Sequence, residues 1–248
     1  MTPYIQMEVP DYSKLFKKDD VVMGRHSSMF PKNIMCIIAG STGSGKSNLM
    51  CHLLKQKGLL NYADVTIYSS TLYQPLYKYL ESYYGDIEER VRTSTGRMIK
   101  LANFYDSADD IIDPSTLSIN QNHIMIFDDV MLSDQTRVKE YYCKGRHNNV
   151  SVFYLVQSLH HISKHCIRQN SNIFILFHQD DKTMKYFHET HISGDMDFKE
   201  FQAFYTETWS KKHSFIVINL WDDAEFGRYW SNYKSVYIPN KYNLHINK

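Results

Sequence analysis

The sequence predicts an α/β domain whose central sheet is mainly parallel and covered by helices on both faces. Three observations carry this expectation: short apolar runs rich in β-branched residues alternate with helical patterns, the runs end in turn-forming or polar residues, and the first leads into a glycine-rich loop and then a helix. At 248 residues and 43% hydrophobic, the chain can bury one substantial core, so one domain with short appendages is expected.

Residues 1–32 carry three prolines, mixed charge and no sustained period, the pattern of an N-terminal arm. Ile34 to Ala39 (IMCIIA) is then a strand buried on both faces. Ser47 to Lys57 is a helix stopped by Gly58, and Asp64 to Ser69 a second strand. Leu72 to Tyr84 reads as a helix ended by Gly85. The polar stretch from Gly85 to Lys100 reads as a loop in which Arg90, Arg92, Arg97 and Lys100 cluster.

His123 to Phe127 is a third strand ending at Asp128-Asp129, and Asp134 to Lys144 a capped helix. Val150 to Val156 and Asn172 to Phe177 are the fourth and fifth strands. A helix over Phe198 to Lys211 and a strand over Phe215 to Leu220 extend the same domain, which is expected to span 33–220, with 221–248 a C-terminal extension packed on it.

The 28 basic residues nearly cancel the 27 acidic ones, so any nucleic-acid contact must come from local patches. Four cysteines lie far apart without a CxxC pair, which reads as a reduced intracellular protein. No stretch approaches the ~18 apolar residues of a membrane helix, and the N-terminus has no apolar signal core, so a soluble protein is expected.

Gly40-Ser41-Thr42-Gly43-Ser44-Gly45-Lys46-Ser47 fits GxxxxGK[ST] between a strand and a helix, a pattern expected by chance in roughly one chain of this length in a hundred. Its glycines let backbone N–H groups curl around phosphates, and the following helix adds the positive end of its dipole. Lys46 is placed to reach the β- and γ-phosphates of ATP, and the Ser47 hydroxyl to ligate Mg²⁺. Asp128 and Asp129 follow four apolar residues, so the first acid is expected to hold the Mg²⁺ water shell and the second to act as general base.

Gln157 ends a strong apolar strand and lies beside the γ-phosphate if that strand neighbours the acidic one. Arg146, in a loop between the acidic segment and the Gln157 strand, suits an arginine finger reaching an adjacent subunit; Arg25, in a second Gly-Arg-His, is a weaker rival. His160, His161 and His165 cluster near Cys166 without the spacing of a metal site and read as a solvated or packed face. The cations between Arg90 and Lys100 suit either DNA phosphates or a solvated loop.

The set GSTGSGKS, IMIFDDV and KGRHNNVSVFYLVQS resembles the genome-packaging ATPases of the FtsK/HerA superfamily, and within it the poxvirus-type branch of large DNA viruses, virophages and Maverick/Polinton elements. The resemblance runs from about Asn33 to Leu220, and its most specific part is the Gly-Arg-His, apolar strand and terminal Gln. It implies an additional-strand P-loop NTPase fold of RecA-like type and a homo-oligomeric ring. It also implies ATP-driven translocation of double-stranded DNA into a preformed capsid, in a host-cell virus factory or during virion assembly.

Carried onto this chain, it gives Lys46 and Ser47 to nucleotide, Asp128 to Mg²⁺, Asp129 to water, Gln157 to the γ-phosphate and Arg146 to the neighbouring site. Asp129 departs from the more common Glu and is one methylene shorter. Two other readings stay open at this point: a P-loop kinase for a small molecule or nucleoside, and a nucleotide-binding scaffold with incidental hydrolysis.

Overall fold

A computed structural model describes residues 25–243 of the chain. Most of the expected N-terminal arm and the last five residues of the expected extension fall outside them. The chain runs β1 (Met35–Ala39), α1 (Lys46–Lys55), β2 (Asp64–Ser69), α2 (Pro75–Thr95), β3 (Ala102–Tyr105), β4 (His123–Asp128), α3 (Thr136–Lys144) and β5 (Val150–Val156). It continues with β6 (Ile173–Phe177), α4 (Asp181–His191), α5 (Phe198–Trp209), β7 (Phe215–Asn219), β8 (Tyr229–Ser231) and β9 (Ser235–Tyr237).

The described strands form one nine-stranded sheet in the order β3-β2-β4-β5-β1-β6-β7-β8-β9. From β3 to β6 neighbours pair in parallel; β7, β8 and β9 are added antiparallel. The period-2 alternation of a strand divides the core in two. Met35, Ile37 and Ala39 of β1 face a layer built with Val138, Tyr141 and Tyr142 of α3, Phe187 of α4 and Phe201 of α5. Cys36 and Ile38 face the opposite layer, with Met50, Leu53 and Leu54 of α1 and Tyr77, Leu80 and Tyr84 of α2. Burial on both faces explains why β1, β4, β5 and β6 read as mainly apolar runs rather than alternating ones.

The helix expected to stop at Gly85 instead runs to Thr95 and is capped by Gly96, whose φ of 71° supplies the left-handed C-cap. A side chain at Gly85 would meet nothing within 4 Å, so neither crowding nor positive φ requires glycine there. Its cost in a helix, about 1 kcal/mol, is overridden by the buried Tyr77, Leu80 and Tyr84 face. The expected basic loop is therefore a helix end: Arg92 pairs with Glu89 and Lys100 with Glu88. Helix α3 begins at Thr136, two residues later than expected, with Gln135 at its N-cap; Asp134, one position before the cap, accepts the Thr136 N–H at 3.1 Å.

His26 ties the start of the described chain to the sheet. Its Nδ1 accepts the Asn61 N–H at 2.9 Å, so Nε2 carries the proton and donates to Ser151 Oγ at 2.8 Å. Burial lowers the ring's pKa to about 4, against the opposing Asn61 hydrogen bond. A folded-state value below the unfolded 6.5 means that this contribution is complete above pH 6.5 and is lost as pH falls toward 4. From pH 7 to pH 5 the loss amounts to about 2 kcal/mol. Urea unfolding of His26→Gln is expected to show a correspondingly smaller drop between these pH values; an unchanged drop contradicts the assignment.

Candidate functional site

Parallel strands place the loops that follow β1, β4 and β5 along one edge of the sheet. Strand β5 lies between β1 and β4, with Ala39 opposite Val156 and Leu155 opposite Asp128. Gln157 therefore emerges between the glycine-rich loop and the acidic pair, whose strands are separated by about 10 Å. The expected neighbourhood of these strands is what the sheet contains.

The loop from Gly40 to Ser47 turns tightly against β6. A Cβ on Gly40 would lie 2.6 Å from Ser44 Oγ and 2.7 Å from Phe177 Cβ, so only glycine allows this approach. Gly45 has a φ of 112°, a conformation that glycine adopts without a steric cost, and it forms the N-cap of α1. Lys46 Nζ donates to the carbonyls of Gly40 at 2.7 Å and Ser41 at 3.1 Å, which holds the ammonium inside the loop. Burial lowers its pKa, opposed by the charges of Asp128 and Asp129.

Ser47 Oγ donates to Asp128 Oδ2 at 2.9 Å, joining the start of α1 to the end of β4. Tyr77 OH donates to the same oxygen from α2. Asp128 is buried, and burial raises its pKa while Tyr77, Ser47 and Lys46 pull it down. Tyr77 is pushed up by burial and by the Asp128 charge, so it stays a donor. Sequence reading missed Tyr77 because it lies on the apolar face of α2 and has the pattern of a core residue.

Asp129 is exposed and has a φ of 58°, a left-handed conformation that Asp tolerates better than most residues. Its carbonyl accepts from Ser70 Oγ at 3.0 Å. Asp128, Asp129 and Gln157 line one cavity of about 140 Å³ with Thr42, Gly43, Lys46, Ser47, Thr71 and Gln74. A second cavity of about 620 Å³ continues from Gly43, Gly45, Lys46, Ser47 and Asn48 to Leu49, Phe177, His213 and Phe215. The first has the character of a terminal-phosphate site and the second is large enough for the rest of a nucleotide.

Arg146 does not join this cluster. It precedes β5, whose span from Val150 to Val156 puts it roughly 20 Å from Gln157, at the opposite edge of the sheet. It is exposed there. Arg25 is held within the chain, donating to the Phe30 carbonyl at 3.5 Å and the Ser28 carbonyl at 3.3 Å and pairing with Asp222 at 3.4 Å. The segment with His160 and His165 forms short turns rather than the continuous helix that would stack residues four apart. Among the described residues no three His, Cys, Asp or Glu side chains are grouped to hold a metal ion.

Several solved structures share this architecture. The genome packaging NTPase B204 from Sulfolobus turreted icosahedral virus 2, in complex with AMP, is 12% identical, with a TM-score of 0.52 over 82% of this chain and 98% of its own. The same protein with sulfate is 14% identical, with a TM-score of 0.50 over 77% of this chain and 93% of its own. At such identities the likeness establishes the P-loop NTPase fold alone. No curated protein sequence matches the chain. The sequence profile of the family described as Poxvirus A32 protein matches residues 23–220, which contain the loop from Gly40 to Ser47, the Asp128-Asp129 strand end and Gln157. The chain belongs to the Poxvirus A32 protein family.

Proposed function

We propose that this protein is an ATP-hydrolysing motor subunit that moves double-stranded DNA, packaging a viral genome into a preformed capsid. The observation that carries the proposal is the insertion of β5 between β1 and β4, which sets Gln157 between a phosphate-binding loop and two acids. Family membership supports it, and the fold is shared with a protein named a genome packaging NTPase. In this reading 33–220 is the ATPase domain and the chain from 221 extends it, supported by the pairing of β8 onto β7 and of β9 onto β8. Among the described residues no helix is long and apolar enough to cross a membrane. Action during virion assembly accords with the packaging role.

The residues suit magnesium. Ser47 Oγ and Asp128 Oδ2 are hard oxygen donors 2.9 Å apart, and Mg²⁺ takes few protein ligands of this kind beside phosphate oxygens and water. When bound with ATP it neutralises phosphate charge as the terminal phosphoryl group passes to water. Backbone N–H groups of Gly43, Gly45, Lys46 and Ser47 and the Lys46 ammonium bind the phosphates. Tyr77 orients the Asp128 carboxylate, Gln157 contacts the terminal phosphate, and Asp129 takes the proton of the attacking water.

Asp129→Asn is expected to keep Mg-ATP bound while slowing single-turnover hydrolysis by ~10²-fold or more, the loss typical of a positioned base. Unchanged single-turnover hydrolysis would move the role to another group. Asp129→Glu restores the longer reach and is expected to remain active. Electron microscopy of the protein with an ATP analogue and linear DNA tests the motor assignment, which predicts a ring with axial density; monomers without DNA density would oppose it.

A further inference from the structure

His213 lies in the turn between α5 and β7, 169 residues from the glycine-rich loop, yet its ring Nδ1 is 3.0 Å from the Ser44 carbonyl oxygen. A carbonyl only accepts, so Nδ1 carries the proton and donates. His213 also holds a φ of 64°, a left-handed conformation that costs a non-glycine residue free energy and that the surrounding structure must impose. The turn is closed by the Ser214 N–H donating to the Lys211 carbonyl at 3.2 Å.

Ser44 is held from its other sides as well. Its N–H donates to the Ser41 carbonyl at 3.1 Å, and its buried Oγ, without a hydrogen-bond partner, packs beneath Gly40. The consequence lies in the next peptide. A trans peptide is planar with its C=O and N–H pointing in opposite directions, and the described chain has no cis peptide bond. Turning the Ser44 carbonyl toward His213 therefore turns the Gly45 N–H away from it. A Cβ on Gly45 would lie 3.7 Å from His213 Nδ1 and 3.5 Å from Phe177 Cε1, so the two rings pack against the loop at Gly45.

We infer that His213 is a positioning residue for phosphate binding: its hydrogen bond to the Ser44 carbonyl locks the Ser44-Gly45 peptide plane so that the Gly45 N–H is aimed at the nucleotide's phosphates. The inference rests on the reading of Gly40 to Ser47 as a phosphate cradle. His213 also lines the larger cavity, so contact with the base is the competing role and the test separates the two.

Three variants suffice. His213→Gly keeps the left-handed backbone and removes the donor. His213→Asn keeps both, since Asn tolerates this φ and carries an amide donor near the place of Nδ1. Lys46→Ala reports on the cradle itself. Binding is measured for Mg-ATP and for Mg-tripolyphosphate, which has no base, by competition against a fluorescent ATP analogue, and KM and kcat are measured alongside.

His213→Gly is expected to weaken both ligands by the same factor, about three- to tenfold for one hydrogen bond. KM rises with kcat unchanged, as for an interaction made equally in ground and transition states. His213→Asn restores both affinities. Unchanged affinities in His213→Gly, weakening of Mg-ATP alone, or failure of His213→Asn to restore binding each overturn the inference. If Lys46→Ala leaves tripolyphosphate binding intact, the cradle reading itself fails, a result distinct from a failure at His213 alone.

Discussion

Lys46→Ala is expected to abolish measurable ATP turnover and to weaken nucleotide binding. The ammonium sits inside the loop, held by the Gly40 and Ser41 carbonyls, beside the cavity that Asp128, Asp129 and Gln157 line. In the proposed function it is the cation that offsets charge gathering on the β- and γ-phosphates, and removal of one such group costs about 10²- to 10³-fold. Burial lowers its pKa, while the charges of Asp128 and Asp129 pull the other way. Because Lys46 is only partly buried and packs no core, thermal unfolding of the variant should match wild type. Wild-type turnover in this variant would remove the loop from the chemistry.

The second large effect concerns Arg146. Its position about 20 Å from Gln157 means that it cannot serve the active site of its own subunit. In a ring, a head-to-tail interface brings one edge of a subunit to a different edge of the next, so an exposed residue opposite the nucleotide edge can complete a neighbouring site. We propose that Arg146 does so; a finger supplied in trans contributes about 10³-fold to turnover. Arg146→Ala is therefore expected to be nearly inactive alone. Mixed with Lys46→Ala, it should regain partial activity, because an intact Lys46 pocket then receives an intact Arg146 from its neighbour. A dead mixture in which mixed oligomers are shown to form, or normal hydrolysis by Arg146→Ala alone, returns Arg146 to a solvated surface charge.

The parts of this site legible from the sequence are those encoded by local pattern. Strands β1, β4, β5 and β6 are buried on both faces and therefore mainly apolar, and Gly40, Asp128 and Gln157 mark where β1, β4 and β5 end. What escaped reading has weak local signal. Strand β3 is a four-residue edge strand with one buried position, and β8 and β9 have three residues each. Helix α4 is dominated by charged residues and histidines, although Met184 and Phe187 anchor it in the core.

The contacts of Tyr77 with Asp128 and of His213 with Ser44 join residues 51 and 169 positions apart, and no periodicity records such pairs. Gly85 misled in the opposite sense. A glycine can mark a helix end, but the left-handed residue that ends α2 is Gly96.

Release of inorganic phosphate from ATP by the full chain, measured with and without linear double-stranded DNA, tests the motor assignment most directly. Hydrolysis that is stimulated by DNA and lost in Lys46→Ala is the predicted result. Phosphate release indifferent to DNA, or transfer of the γ-phosphate to a nucleoside instead of water, would contradict it.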